Sequence, residues 1–287
     1  MKKNSRWFFA IVSLLAYTDV LAQSLVGTDL QMDRQRLSHK MQKLIQDDME
    51  ALAALPIEAA RGSDFEKAFQ GRNASDLLSY LNERLRYVGF DPDSSHDRSF
   101  YGVNFSMSWL EYIFKRDYLG HPNARIDREK FENQIIPIES PRAGFFALGG
   151  AYNERDSNLI DRLDTWIHEA RHSDCPHLPI GQDFKFYGGS HYNEMSQEAL
   201  RCTQIHTYCP KGHVLSGELA CDSHTWGAYT FGYVFSHSVY KYCARCSEKE
   251  RQEALAVAND DFSRLSAEVQ DRTLKGTLEN PVLSSLP

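Results

Sequence analysis

The chain has 287 residues, of which 42% are hydrophobic and 25% are charged. These fractions exclude a disordered or fibrous protein and suit one large folded domain or two smaller ones. The formal net charge of −7 makes the chain a poor match for nucleic acid, so no nucleic-acid partner is expected.

Residues 1–22 have the pattern of a secretory signal peptide. Positive charges at Lys2, Lys3 and Arg6 precede a short apolar run from Trp7 to Ala16, and small residues follow before Gln23. The run is short for a bilayer span, and no later apolar run approaches the required length. The pattern predicts a secreted or periplasmic protein with no membrane span after removal of the signal.

Residues 23–120 are expected to form an N-terminal helical region. Apolar residues recur at helical intervals over 34–55 and over 75–88, which predicts two amphipathic helices. The aromatic-rich stretch 100–118 is predicted to be a further, partly buried helix. These stripes indicate packing rather than chemistry.

The character of the sequence changes near residue 133. Two short apolar runs, 134–138 and 144–148, are bounded by turn residues and are predicted to be strands. Apolar residues then recur at helical spacing from Leu159 to Ala170, which predicts a helix capped by Asp156 or Ser157. The expected fold is α+β and mainly helical, with a small sheet before this helix.

The predicted helix carries the sequence His168-Glu169-Ala170-Arg171-His172. Imidazoles four residues apart share a helix face and can bind one metal ion, and Glu169 can take the proton of a water bound to that metal. Plotting the helix at 100° per residue puts both histidines opposite the apolar stripe. The alternative is a surface helix with two solvated histidines.

A catalytic zinc site needs a third protein ligand and an open position for water. Glu218 and Asp222 are four residues apart and are predicted to share the face of a helix that runs to about Tyr242. One would bind the metal while the other would hydrogen-bond a ligand histidine. Glu218 is the favoured ligand, with Asp222 and His224 as competitors. Alternatively, the two acids only meet the dipole of a helix N-terminus.

Peptide hydrolysis also requires a hydrogen-bond donor for the developing oxyanion. The candidates are His191, Tyr192, His224 and Tyr229. Tyr229 is favoured because it shares the face of Glu218 and Asp222 if the helix is regular.

All six cysteines lie in the C-terminal part of the chain, at positions 175, 202, 209, 221, 243 and 246. An even number of cysteines in an exported protein favours disulfides. We predict that Cys175 and Cys221 are each disulfide-bonded and so hold the ends of the elements that carry the metal site. The alternative is a structural zinc knot, built from Cys202, Cys209, Cys243 and Cys246.

The motif His168-Glu169-x-x-His172, followed downstream by Glu218-x-x-x-Asp222, resembles the gluzincin group of HExxH zinc metallopeptidases. The resemblance covers these two short motifs and not the whole chain. It implies that His168, His172 and Glu218 bind Zn²⁺, that Glu169 is the general base and that Asp222 supports the ligands. It also implies a zincin-like catalytic domain, which we place at 121–287 and expect to be braced by disulfides.

Motif and resemblance together predict an exported zinc-dependent metallohydrolase. It would cleave peptide bonds with a zinc-activated water, with Glu169 as general base. The expected substrates are peptides or proteins, cell-wall peptides among them. The alternative is an exported binding protein whose HExxH site is structural or degenerate and does not turn over substrate.

Overall fold

The computed structural model describes residues 28, 30–32, 37–90, 102–106, 144–148, 152, 158–172, 206–217, 219–222 and 225–278. The predicted signal peptide, the predicted strand at 134–138 and the predicted domain boundary at residue 120 lie outside these residues. No helix in the described part of the chain is long and apolar enough to cross a membrane.

The described fold is mainly helical with a small sheet, as the sequence predicts. The helices are α1 (His39–Ala54), α2 (Asp64–Phe69), α3 (Ala74–Arg84), α4 (Leu159–His172), α5 (Ala228–Tyr242), α6 (Glu248–Ser263) and α7 (Ala267–Leu274). The strands are β1 (Gln31–Met32), β2 (Leu85–Phe90), β3 (Gly102–Ser106), β4 (Gly144–Leu148), β5 (Thr207–Tyr208) and β6 (Leu219–Cys221).

The first two predicted helices are present, and side chains fix where they begin. The Ser38 hydroxyl accepts a hydrogen bond from the backbone N–H of Met41 at the start of α1. Asn73 and Asp76 form a capping box at the start of α3. The prediction of a helix as far as residue 88 is wrong, because the chain turns into β2 at Leu85. There it gains neighbouring strands on both sides.

β1 to β4 form one mixed sheet in the order β1-β2-β4-β3. β1 and β4 run parallel to β2, whereas β3 is antiparallel to β4. The prediction of a strand at 144–148 is confirmed. The predicted helix at 100–118 is wrong for 102–106, which form β3. The pairing of Asn104 with Phe146 shows that strand hydrogen bonds replace helical ones there.

The hydrophobic core is shared by elements from both halves of the chain. α4 packs against α5 and contacts α1 and α3, and α5 packs against α6. The ring of Phe146 meets that of Trp166 edge-on at 4.4 Å between centroids. Burying a side chain of this size contributes about 1.5–3 kcal/mol. Inside the same core Arg162 Nη2 lies 2.8 Å from the Asp48 carboxylate, so an ion pair joins α4 to α1.

Two disulfides lie in the described residues, Cys209–Cys221 and Cys243–Cys246. The predicted disulfide bonding of Cys221 is confirmed. The alternative zinc knot is wrong, because three of its four thiols are spent in these bonds. Cys175 and Cys202 lie outside the described residues. Disulfides of this kind are compatible with an extracellular protein.

Candidate metal centre

Helix α4 carries the HExxH sequence, as predicted. Its first turn is capped by Asn158, whose side-chain oxygen accepts from the N–H of Asp161 at 2.8 Å. The predicted caps Asp156 and Ser157 lie outside the described residues. At the other end of the helix, the rings of His168 and His172 lie 5.2 Å apart between centroids. The four-residue spacing therefore brings both imidazoles to one side of the last turn.

The face of α4 that carries the histidines is largely buried, which argues against the alternative of a surface helix with two solvated histidines. His168 is only 8% exposed, and Asp164, Glu169 and Arg171 are also buried. Arg171 Nε donates to the backbone oxygen of Trp226 at 3.0 Å. The helix is enclosed because α5 and the segment before it pack over its polar side. The histidines of α4 are therefore surrounded by residues of other elements.

A third imidazole meets the pair, and it comes from His206. Its Nε2 lies 3.1 Å from His168 Nε2, and the ligand nitrogens of His168, His172 and His206 all lie within 4.8 Å of one another. Two nitrogens bound to one tetrahedral Zn²⁺ at 2.0–2.1 Å would be about 3.3 Å apart. The three histidines can therefore hold a single metal ion with little movement.

Sequence reasoning did not identify His206 as a ligand. It lies 38 positions from His168, so no local spacing connects them. What brings it in is the antiparallel pairing of β5 with β6, in which Thr207 lies opposite Cys221. The residue before Thr207 consequently lies beside the residue after Cys221, which is Asp222. The pair Cys209 and Cys221 was the available signal, because a bridge between them defines this hairpin.

Asp222 connects His206 to the start of α5. Its Oδ1 lies 3.1 Å from His206 Nδ1, and its Oδ2 accepts from the backbone N–H groups of Tyr229 at 2.8 Å and Thr230 at 3.3 Å. An ionised carboxylate only accepts, so Nδ1 of His206 donates to it, and in the neutral imidazole this leaves the lone pair on Nε2, the nitrogen nearest His168. This is the arrangement in which a carboxylate orients a metal-binding histidine.

The predicted helix carrying both Glu218 and Asp222 is wrong. β6 spans Leu219–Cys221 and α5 begins only at Ala228, so the residues directly before Asp222 form a strand and Asp222 does not lie on the predicted helix. Glu218 and His224 lie outside the described residues, as do His191 and Tyr192. Gly227 precedes α5, and a Cβ there would lie 2.2 Å from Asp222 Oδ2. Only glycine at this position lets the carboxylate approach the helix N-terminus.

Glu169 lies beside the three histidines. Its Oε1 is 4.0 Å from His168 Nε2, the same nitrogen that approaches His206. The carboxylate is buried, with 9% of its side chain exposed. A carboxylate at this distance can reach a water bound at the open position of a three-histidine site.

Tyr229 and Arg264 form another side of the site. The Tyr229 ring lies 4.5 Å from the His168 ring and 4.6 Å from the His206 ring, between centroids. Arg264 Nη1 donates to the Tyr229 hydroxyl at 3.1 Å. Burial raises the pKa of Tyr229 above its usual value, so the phenol stays protonated at neutral pH. The site thus contains a hydroxyl donor as well as three imidazoles and a carboxylate.

The electrostatics of the site favour neutral imidazole at its centre. Burial lowers the pKa of His168 well below its usual value, and the neighbouring His206, His172 and Arg264 lower it further. A neutral imidazole has the free lone pair that a metal requires. His168 is therefore neutral at physiological pH, and its lone pair is available to a metal ion.

No family model, no curated protein and no solved structure matches this chain. What the centre does is consequently inferred from its own residues.

Proposed function

We propose that this protein is an exported zinc-dependent metallohydrolase that cleaves peptide bonds. One observation carries the proposal. Three imidazole nitrogens lie within 4.8 Å of one another, and the carboxylate of the residue after the first histidine lies 4.0 Å from that histidine's Nε2. Three histidine ligands with an adjacent carboxylate are typical of a catalytic zinc site rather than of a structural one.

His206 is proposed as the third ligand in place of Glu218. Its Nε2 points at His168, and its Nδ1 is held by Asp222, which is the support that a ligand histidine needs. Imidazole ligands suit zinc among the divalent metals, whereas calcium and magnesium prefer oxygen. Within the described residues His168, His172 and His206 would hold the zinc, and a bound ion could still take up water or substrate.

The residues of the chain divide the chemistry between them. Zinc, when bound, would supply a Lewis acid and lower the pKa of a water molecule in the site. Glu169 accepts a proton from the attacking water and returns it to the leaving amine, so the carboxylate ends each cycle as it began. Tyr229 donates a hydrogen bond to the carbonyl oxygen as negative charge develops on it.

A peptide substrate is supported by the sheet. In the part of the chain that the structure describes, β3 is the last strand of the sheet order, and it also contacts α4, which carries the metal site. An extended peptide can pair with such an edge through backbone hydrogen bonds, whatever its side chains. We include the zincin-like arrangement of sheet and HExxH helix in the proposal on this ground. Peptides or proteins, including cell-wall peptides, are the proposed substrates.

The experiment is zinc analysis of the purified protein combined with hydrolysis of a fluorogenic peptide library. We expect one zinc per chain, loss of hydrolysis on chelation and recovery when zinc is restored. Glu169→Gln should keep the zinc and lower kcat by a factor of about 10²–10⁴. Glu268→Gln, which changes an exposed carboxylate on α7, is the matched control and should behave as wild type.

Two results would overturn the proposal. Protein that binds no stoichiometric zinc would exclude a zinc enzyme. Zinc binding without any hydrolysis that depends on Glu169 would favour the alternative, an exported binding protein with a structural metal. In that case removing the metal should lower the melting temperature strongly.

A further inference from the structure

We propose that Arg264 is a positioning residue for this reaction, which orients the Tyr229 hydroxyl so that its proton is available to the substrate oxyanion. The inference rests on the proposed function and adds to it the residue that caps the C-terminus of α6. No pattern in the sequence connects Arg264 with the HExxH motif.

The contact that carries the inference is a single hydrogen bond with a defined direction. Arg264 Nη1 donates to the Tyr229 oxygen at 3.1 Å, and the guanidinium carbon lies 4.9 Å from the ring centroid. Arginine cannot accept a hydrogen bond, so the phenol oxygen must be the acceptor. Among the described residues no acceptor takes the phenol hydrogen in return. A tyrosine held in this way has one donor left for a ligand.

The ring geometry holds the phenol against the histidines of the metal centre. Tyr229 stacks on His206 at 28° between ring planes and 4.6 Å between centroids, and it meets the edge of His168. These two rings fix the plane of the phenol, and the guanidinium then fixes the direction of the oxygen's lone pair. The hydroxyl hydrogen is left to turn about the C–O bond, away from the cation. A donor restricted in this way loses less entropy when the oxyanion forms.

Arg264 is itself held from two sides. Nε donates to Asp260 Oδ2 at 2.9 Å, one helical turn back. Its backbone oxygen accepts from the N–H of Asp222 at 2.9 Å, while the oxygen of Asp222 accepts from Ser266 at 2.9 Å. The carboxylate that holds His206 and the guanidinium that holds Tyr229 therefore belong to adjoining, hydrogen-bonded backbone. The proposed ligand His206 and the proposed donor Tyr229 are therefore positioned by the same hydrogen-bonded pair of backbone segments.

The test is a double-mutant cycle on zinc-loaded protein, with the fluorogenic peptide that wild type cleaves best. The variants are Tyr229→Phe, Arg264→Gln and the double substitution, each with zinc content and melting temperature measured. We expect Tyr229→Phe to lower kcat about 10²-fold, as loss of one oxyanion donor does. Arg264→Gln should lower kcat at least about 10-fold with KM within a factor of about two. In the Tyr229→Phe background it should have almost no further effect.

The control is Arg272→Gln. Arg272 makes the same kind of contact with a carboxylate one helical turn back, at 2.8 Å to Glu268, but on α7. It should leave kcat, KM and zinc content unchanged. If Arg264→Gln does not fold, Arg264→Lys keeps the charge and one donor. The kcat of Arg264→Lys should fall less than that of Tyr229→Phe. In protein that already carries Tyr229→Phe, adding Arg264→Lys should again leave kcat almost unchanged.

The inference is overturned if Arg264→Gln retains wild-type kcat. It is also overturned if the fold decrease in kcat of the double variant equals the product of the decreases in the two single variants. Loss of zinc or a change confined to KM would instead show a structural or substrate-binding role. All of these outcomes require an active wild-type protein. If the proposed function itself is wrong, the wild-type protein hydrolyses no peptide, so the two failures can be told apart.

Discussion

His206 Nδ1 lies 3.1 Å from Asp222 Oδ1, and the other oxygen of the same carboxylate accepts two backbone N–H groups at the start of α5. The imidazole is thus held by a side chain whose other oxygen is fixed by the backbone of α5. A histidine fixed in one tautomer and one orientation loses little freedom when it binds a metal, which raises affinity.

Asp222→Asn should weaken zinc binding about 10–100-fold. An asparagine carries no charge, and its single side-chain oxygen cannot serve both His206 and the backbone of α5. Competition with a chromogenic chelator measures the Kd. Asp271→Asn, in an exposed pair with Lys275, is the control. An unchanged Kd in Asp222→Asn would show that His206 does not depend on this carboxylate.

His206→Ala should bring the bound zinc well below one per chain after dialysis, because only two imidazoles remain. Glu218→Ala should retain the metal. Elemental analysis of the two variants, prepared in parallel, separates the two candidates for third ligand. The opposite pattern, with zinc kept by His206→Ala and lost by Glu218→Ala, would return the ligand to Glu218.

Replacing Cys209 and Cys221 together by serine should lower the free energy of unfolding by about 3 kcal/mol, by loop-closure entropy. It should also weaken zinc binding, because the bridge holds the strands that bring His206 beside Asp222. The same change at Cys243 and Cys246 closes a shorter loop, so about 2 kcal/mol and no effect on zinc are expected. Denaturant unfolding and metal titration check both. Equal zinc affinities in the two variants would contradict the role given to the hairpin.

The buried carboxyls Asp164 and Asp261 should make stability fall as pH rises. Burial raises the pKa of Asp164 to about 7, and burial together with Asp164 raises that of Asp261. The folded state keeps a proton that the unfolded chain releases from about pH 4 upward. The contribution of the buried carboxyl to the free energy of unfolding is therefore complete below about pH 4. It declines between about pH 4 and pH 7, by up to about 1.4 kcal/mol per pH unit.

Asp164→Asn keeps an acceptor for Ser236, which donates to Asp164 Oδ1 at 2.8 Å, and removes the titration. Its unfolding midpoint should be less dependent on pH than that of wild type, with the greatest gain above pH 7. Thermal melts at pH 5, 6, 7 and 8 measure this. Parallel curves for the two proteins would mean that Asp164 is ionised in the fold.

Asp48→Ala should destabilise the fold by about 3–5 kcal/mol, because it leaves the buried Arg162 without its carboxylate. Asp47→Ala is the matched control one residue earlier. Asp47 pairs with Lys43 on the surface, and such pairs contribute about 0–1 kcal/mol. Urea unfolding gives both values. A similar loss in the two variants would contradict a buried pair between α1 and α4.

Helices that extend for several turns could be predicted, whereas their ends and neighbours could not. The apolar stripes of α1 and α4 repeat often enough for periodicity to identify them. The stripe of α3 continues through Leu85 and Val88 into β2, since leucine and valine pack equally well at helical or strand positions. Strand pairing with β1 and β4 decides between them, and those partners are distant in sequence.

The sequence alone determined the most local part of the candidate site. Two imidazoles and a carboxylate on one turn follow from a spacing of four residues, because the helix itself sets their geometry. Only the tertiary structure supplied His206, its hydrogen bond to Asp222 and the contact of Arg264 with Tyr229. These depend on a hairpin closed by a disulfide, on a glycine that lets a carboxylate reach a helix terminus, and on backbone hydrogen bonds between Asp222 and the residues that follow α6. Such contacts join residues far apart in the chain, and no periodicity encodes them.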